Sequence, residues 1–120
     1  MSTQEYASLR LTLFKHSAES FLAALDEAAI SHGPVHTYSI APQGSGLVEA
    51  ITALSEAMPW NTIARVVVAW IEARKSREII IYAGEGKTFH AKGYSVSEVQ
   101  KLLQTSTNVA VIDTEPDDEH

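Results

Sequence analysis

At 120 residues, with 45% hydrophobic and 20% charged side chains, the chain is long enough for one domain with a real core. It contains no cysteine, which excludes disulfides and cysteine-ligated zinc or iron–sulfur sites and fits a reducing compartment. The net charge of −6 lacks the basic excess of a nucleic-acid binder.

The charge is unevenly spread. Residues 1–64 sum to −4 and residues 65–112 to +3, while the last eight residues hold five acids and no lysine or arginine. The body is close to neutral, and the acidity reads as a solvated C-terminal tail over 113–120. The opening MSTQEYASLRLTLF has no basic region followed by an apolar run, so no secretory signal is expected. Glu49, Glu56, Pro59, Asn61 and Arg65 interrupt the apolar stretch from Leu47 to Ile71, leaving it short of the roughly 18 apolar residues of a membrane span. A cytoplasmic protein without membrane or nucleic-acid partners is the expectation.

From Ser8 to Lys15 the chain alternates, with Leu9, Leu11 and Leu13 on one face and Arg10 and Thr12 on the other, the pattern of a half-buried strand. Ser17 is a candidate N-cap, and Glu19 sits in the first turn, where the helix dipole favours an acid. The helix it opens sets Phe21, Leu22, Leu25, Ala28 and Ala29 along one stripe. Gly33 and Pro34 are its expected stop.

Val35 to Ala41 reads as a second strand with neither face strongly apolar, which suits a sheet edge or a strand lying beside a partner. A loop, Pro42-Gln43-Gly44-Ser45-Gly46, follows. Leu47, Ile51, Leu54 and Met58 then fall at helical spacing, with Glu49 and Glu56 turned outward. Pro59 separates this helix from a second, whose stripe is Ile63, Val66, Val67, Trp70 and Ile71. Its three consecutive valines are a local conflict with helix propensity, set against the surrounding Ala64, Arg65, Ala69, Glu72 and Ala73.

Glu78 to Ala83 is almost pure β-former, and its unbroken apolar run predicts an interior strand covered on both faces. Gly84-Glu85-Gly86 supplies the positive φ angles of a short hairpin loop, and Lys87 to Lys92 returns. Ser95-Val96-Ser97-Glu98 matches a capping box. Val96, Val99, Leu102 and Leu103 make its helix amphipathic, and Val109 to Ile112 is a last short strand. The predicted order is β-α-β-α-α-β-β-α-β: an α+β, two-layer fold with a mixed sheet and helices on one face, forming a single globular domain over 1–112.

Few residues form a chemical pattern. Gly44, Ser45 and Gly46 before a helix could hold an anion, yet the Walker lysine and the full GxGxxG spacing are absent. His32 and His36 are separated by Gly33 and Pro34 and cannot share a helix face; His36 and His90 could meet across a sheet. No pairing of acids suggests acid–base chemistry, and no cofactor or metal is called for. The candidate interface residues are Tyr38 on the polar second strand, Trp60 at the helix junction, Glu85 at the hairpin turn, and the basic group Arg74, Lys75, Arg77 and Lys87. The dipole of the preceding helix also favours Arg74 and Lys75 at its end.

The central block combines Trp70-Ile71 with Arg74-Lys75-Ser76, a strand from Ile79 to Tyr82, Gly84-Glu85-Gly86-Lys87, a strand reaching Ala91, and a helix with Leu102-Leu103. Over residues 47–104 this resembles the effector-associated constant component domains, small bacterial domains encoded beside or fused to protease and NTPase modules in defence and signalling systems. The resemblance implies an adaptor that couples a sensor to an effector through protein contacts, and it carries over no catalytic residue; a non-enzymatic interaction module acting as a small oligomer is the first expectation. One alternative expectation is an immunity-type inhibitor, its acidic N-terminal half and tail steering it to a basic toxin. The other is a small-ligand or anion-binding protein built on the Gly44–Gly46 loop.

Overall fold

The computed structural model describes residues 5–34 and 47–115. In chain order these form β1 (Tyr6–Lys15), α1 (Ser17–Glu27), β2 (Gly33–Pro34), β3 (Leu47–Leu54), α2 (Trp60–Ala73), β4 (Arg77–Ala83), β5 (Thr88–His90), α3 (Val96–Gln104) and β6 (Ser106–Asp113). The strands make one mixed sheet, ordered β2-β3-β1-β6-β4-β5. β1 and β6 run parallel, and the other neighbours are antiparallel. The fold is α+β, with one helical layer against one face of the sheet, as the alternation of elements predicts.

β1 starts the core. Leu9, Leu11 and Leu13 are buried while Ser8 and Arg10 are exposed, which the period of two demands when helices lie on one side only. Ile51, Ile79, Ile81, Val109 and Val111 join the leucines on that side. Phe21 and Leu25 of α1, Ile63, Val67, Trp70 and Ile71 of α2, and Val99 and Leu103 of α3 close over them. The three valines of α2 are helical after all. Val67 is buried, Val66 and Val68 pack at its flanks, and this burial outweighs a propensity cost of a few tenths of a kcal/mol per residue.

One expected helix is a strand. Leu47 to Leu54 is β3, paired antiparallel with β1 from Tyr6↔Leu54 to Leu13↔Leu47. The spacing of Leu47, Ile51, Leu54 and Met58 is a coincidence of roles. Ile51 faces the core, Leu54 is 38% exposed on the other side, and Met58 is buried beyond a 3-10 turn at Ser55–Ala57. Val48, Ile51 and Thr52 favour a pleated surface, and the partner strand supplies a ladder that no local pattern reveals.

Two helix ends also differ from expectation. Ser17 lies inside α1, after an N-cap at His16, and its buried hydroxyl donates to the Val111 carbonyl at 2.9 Å. It therefore ties the helix to β6 instead of capping its first turn. α1 ends at Glu27, well before Gly33. The Ala29 N–H donates to Asp26 O and the Ile30 N–H to Leu25 O, both at 2.9 Å, with Ala29 at φ 62°. This is a Schellman closure with alanine where glycine is usual, and Ile30 buries itself beside Leu25. The exposed Ala29 carries the steric cost of the left-handed region. Ala29→Gly is therefore expected to stabilise the protein by about 0.5–1 kcal/mol, read as a raised thermal midpoint.

The other punctuation holds. Ser95 accepts from the Glu98 N–H while the Glu98 carboxylate accepts from the Ser95 N–H, the predicted capping box. These hydrogen bonds hold the Glu98 carboxyl below its ordinary pKa. Gly84–Gly86 turns β4 into β5, with Glu85 at φ 66° and Gly86 at φ 75°. β4 is interior in strand order, but only one of its faces is fully covered: Ile79 and Ile81 are buried, Ile80 is half-buried and Tyr82 is exposed. Among the described residues the expected cover on both faces is incomplete, because α1, α2 and α3 all pack on the Ile79 and Ile81 side.

Candidate interaction surface

The uncovered face of the sheet follows from the same alternation that builds the core. On β1 it presents Arg10, Thr12 and Phe14, on β6 Asn108, Ala110 and Ile112, and on β4 Tyr82, Ile80 and Glu78. The registers Thr12↔Ala110, Phe14↔Ile112, Ile80↔Ala110, Tyr82↔Asn108 and Glu78↔Ile112 align these residues in rows across the sheet, and Arg10 continues β1 one step beyond its last pair with β6, Leu11↔Val109, towards the Asn108–Tyr82 row. Val48 of β3 and His90 of β5 extend the middle row on either side. Phe14, Ile80 and Ile112 are half-buried, the small Ala110 between them is buried, and Tyr82 is exposed. Among the described residues, no helix covers this face.

Its polar groups lie mainly towards the margins. Thr12 Oγ1 donates to Asn108 Oδ1 at 3.3 Å, Ser8 and Thr52 share a hydrogen bond at 3.4 Å, and the Glu78 carboxylate bonds His90 Nδ1. Arg10 is exposed, with no acidic partner among the described residues. The result is an apolar centre, Phe14–Ile112–Ala110–Ile80–Tyr82, with a cation at one corner and an acid at the opposite one.

At the end of the sheet, Arg77 opens β4 directly opposite Asp113, which closes β6. Asp113 is fully buried. Its carboxylate accepts from Arg77 Nε at 2.9 Å, Ser76 Oγ at 2.6 Å and the Glu115 N–H at 3.1 Å, with Arg74 Nη1 at 3.7 Å. Burial alone would push this carboxyl up, but the hydrogen bonds from Ser76, Glu115 and Arg77 outweigh it and hold the pKa below the ordinary value. Arg77 also donates from Nη1 to the Trp70 carbonyl at 3.0 Å and stacks 4.5 Å over the indole. That carbonyl lies in the last turn of α2, where helix acceptors are otherwise orphaned, so the cluster latches helix to sheet.

A third feature is a groove of about 860 Å³ between α1 and α2, walled by Ala24, Ala28, Val66 and Ala69 above Trp70 and rimmed by Glu27 and Arg65. A fourth is His32. Its Nε2 lies 3.0 Å from Asp26 Oδ1 and its Nδ1 lies 3.2 Å from Glu49 Oε1. Both contacts are donor bonds only with a proton on each ring nitrogen. Because the two carboxylates sit at opposite edges of the ring, the three groups do not converge on one point. Among the described residues, no three His, Asp or Glu side chains are placed to hold a metal.

The sequence-derived candidates scatter. Tyr38 and the loop Gly44, Ser45 and Gly46 lie outside the described residues, as does the predicted strand Val35 to Ala41 beyond β2. Trp60 is half-buried against the core. Arg74 and Arg77 belong to the Asp113 latch, whereas Lys75, Glu85 and Lys87 are exposed around the β4 ends. Asp113, counted with the tail by its charge, is instead the last residue of β6. Sequence patterns do not single out the open face, although Phe14 on the polar side of an alternating strand is a visible sign of it.

No protein-family model matches the chain, and no curated protein or solved structure matches it significantly. The surface therefore has to be interpreted from its own chemistry. Among the described residues, no helix is long and apolar enough to cross a membrane.

Proposed function

We propose that this protein is a non-enzymatic interaction module of the cytoplasm that docks another protein through the open face of its sheet. The observation that carries the reading is the apolar centre Phe14–Ile112–Ala110–Ile80–Tyr82 on a face without a helical layer. Isolated exposed apolar residues are ordinary, but a contiguous rimmed patch marks a contact surface. A sheet face offers a rigid platform, so docking costs little ordering entropy. The resemblance of residues 47–104 to the effector-associated constant component domains supports an adaptor role built on protein contacts.

Ile80→Lys, which puts a charge in the centre of the face without touching the core, is expected to remove partners that co-purify with the wild-type protein. Ala69→Lys, in the helical groove, is expected to retain them. Quantitative mass spectrometry of affinity-purified complexes checks this, with circular dichroism confirming that both variants fold. Partners lost equally in both variants, or in neither, would remove the sheet face as the docking site.

A further inference from the structure

The open face is complementary to itself, and we infer that its partner is a second copy of this chain, stacked sheet to sheet with the strands crossed. This inference rests on the reading of that face as a docking surface and specifies its occupant. Ala110 sits at the centre of the three-by-three grid of outward side chains. Arg10 and Glu78 occupy one pair of opposite corners; Phe14 and Tyr82 occupy the other.

A two-fold axis lying in the interface at about 45° to the strands, close to the Phe14–Tyr82 diagonal, exchanges the Arg10 and Glu78 corners. It sets Arg10 of each copy over Glu78 of the other and brings Phe14 against Phe14 and Tyr82 against Tyr82, with the small Ala110 at the crossing point. The same rotation turns the strands by about 90°, one of the two packing angles that sheets adopt. With strands about 4.8 Å apart and outward side chains about 6.8 Å apart along each strand, the exchanged corners superpose to within roughly 3 Å. A side chain spans that mismatch.

Two other placements of the axis fail on charge. An axis along the strands sets Arg10 over Tyr82 and Glu78 over Phe14. An axis across the strands sets Arg10 over Phe14 and Glu78 over Tyr82. Both leave the guanidinium desolvated without a partner, which is costly, and the carboxylate with His90 alone. Only the diagonal axis pairs both charges, and by symmetry it does so twice. The grid spans only about 10 by 14 Å, small beside the roughly 800 Å² per partner of a standard interface, so a weak, concentration-dependent dimer is expected.

Charge reversal tests the register. Arg10→Glu alone and Glu78→Arg alone each create two like-charged contacts, and each is expected to weaken dimerisation at least about tenfold in sedimentation equilibrium. The double reversal Arg10→Glu/Glu78→Arg restores both pairs and is expected to recover most of the affinity. The absence of cysteine allows an independent readout. Tyr82→Cys lies on the axis and is expected to cross-link to itself with a short bismaleimide, whereas Glu85→Cys, on the hairpin turn outside the grid, is not.

A dimer indifferent to both reversals would overturn the inference, as would a double reversal no better than the singles. A wild-type monomer at about 100 µM likewise ends the second-copy proposal. If Ile80→Lys still abolishes partner capture, that outcome leaves the docking reading standing with a different protein as occupant. A monomer whose face is already protected from hydrogen exchange assigns the cover to this chain itself and ends both.

Discussion

Replacing Asp113 by alanine is expected to destabilise the protein by about 3–5 kcal/mol, lowering the thermal midpoint by on the order of 15 °C. The size follows from what is left behind. Arg77 is itself buried, with only 8% of its surface exposed, and without Asp113 it loses the acceptor of its Nε at 2.9 Å. Ser76 Oγ and the Glu115 N–H lose theirs as well. A guanidinium held over an indole in low dielectric cannot recover its hydration without opening the end of the sheet. The double substitution Arg77→Met/Asp113→Val removes both charges and is expected to cost less than Asp113→Ala alone, because the buried guanidinium leaves together with its carboxylate. Denaturant unfolding of the two single variants and the double one gives the coupling energy.

The latch also sets a pH dependence. The Asp113 carboxyl is held below its ordinary value in the folded protein, so the unfolded chain takes up a proton first as pH falls. The stabilisation is fully present above the unfolded value of about 3.9 and is lost as pH drops through that value towards the folded one. Between about pH 5 and pH 3, wild-type stability is expected to decline more steeply than that of Asp113→Asn. Parallel slopes in the two proteins would assign the acid sensitivity elsewhere.

Trp70→Ala is expected to cost about 3–5 kcal/mol, the range for a large aromatic removed from a core. Trp70 meets Phe21 edge-to-face at 5.3 Å, donates from Nε1 to Ser20 Oγ at 3.0 Å and carries Arg77 on its ring. It therefore joins α1, α2 and the Asp113 latch at once. Trp70→Phe keeps the ring contact with Phe21 and loses the hydrogen bond, so it is expected to fall between alanine and wild type. Combining Trp70→Ala with Asp113→Ala is expected to cost less than the two alone, since both release Arg77. Additive losses would show that the stacking and the ion pair act separately.

Most elements were legible because their signals are local. The Leu9–Leu11–Leu13 alternation, the capping box at Ser95 and Glu98, the Gly84-Glu85-Gly86 turn and the stripe through Val67 and Trp70 each specify structure within a few residues. β3 was misread because two periods overlap in it. Glu49 interrupts the inward row of the strand, so alternation looks broken, while Leu47, Ile51 and Leu54 mimic a helical face. The inward position of Glu49 becomes intelligible only with His32, 17 positions earlier in the chain, beside its carboxylate at 3.2 Å.

Asp113 shows the same limit from the side of charge. Among five acids at the end of the chain it is indistinguishable in sequence, yet the antiparallel register of β4 and β6 sets it opposite Arg77 and takes it out of water. The sequence by itself determined a cysteine-free α+β domain, which residues face inward on β1, α2 and α3, and where the chain turns. Local periodicity and turn chemistry suffice for that, since each acts over a few neighbouring residues. The tertiary structure added that no described helix covers one sheet face, that Arg74 and Arg77 at the end of α2 are spent on a latch, and that Arg10 and Glu78 stand at opposite corners of an apolar patch. Those facts depend on strand order and register, which are set by contacts between residues far apart in the chain.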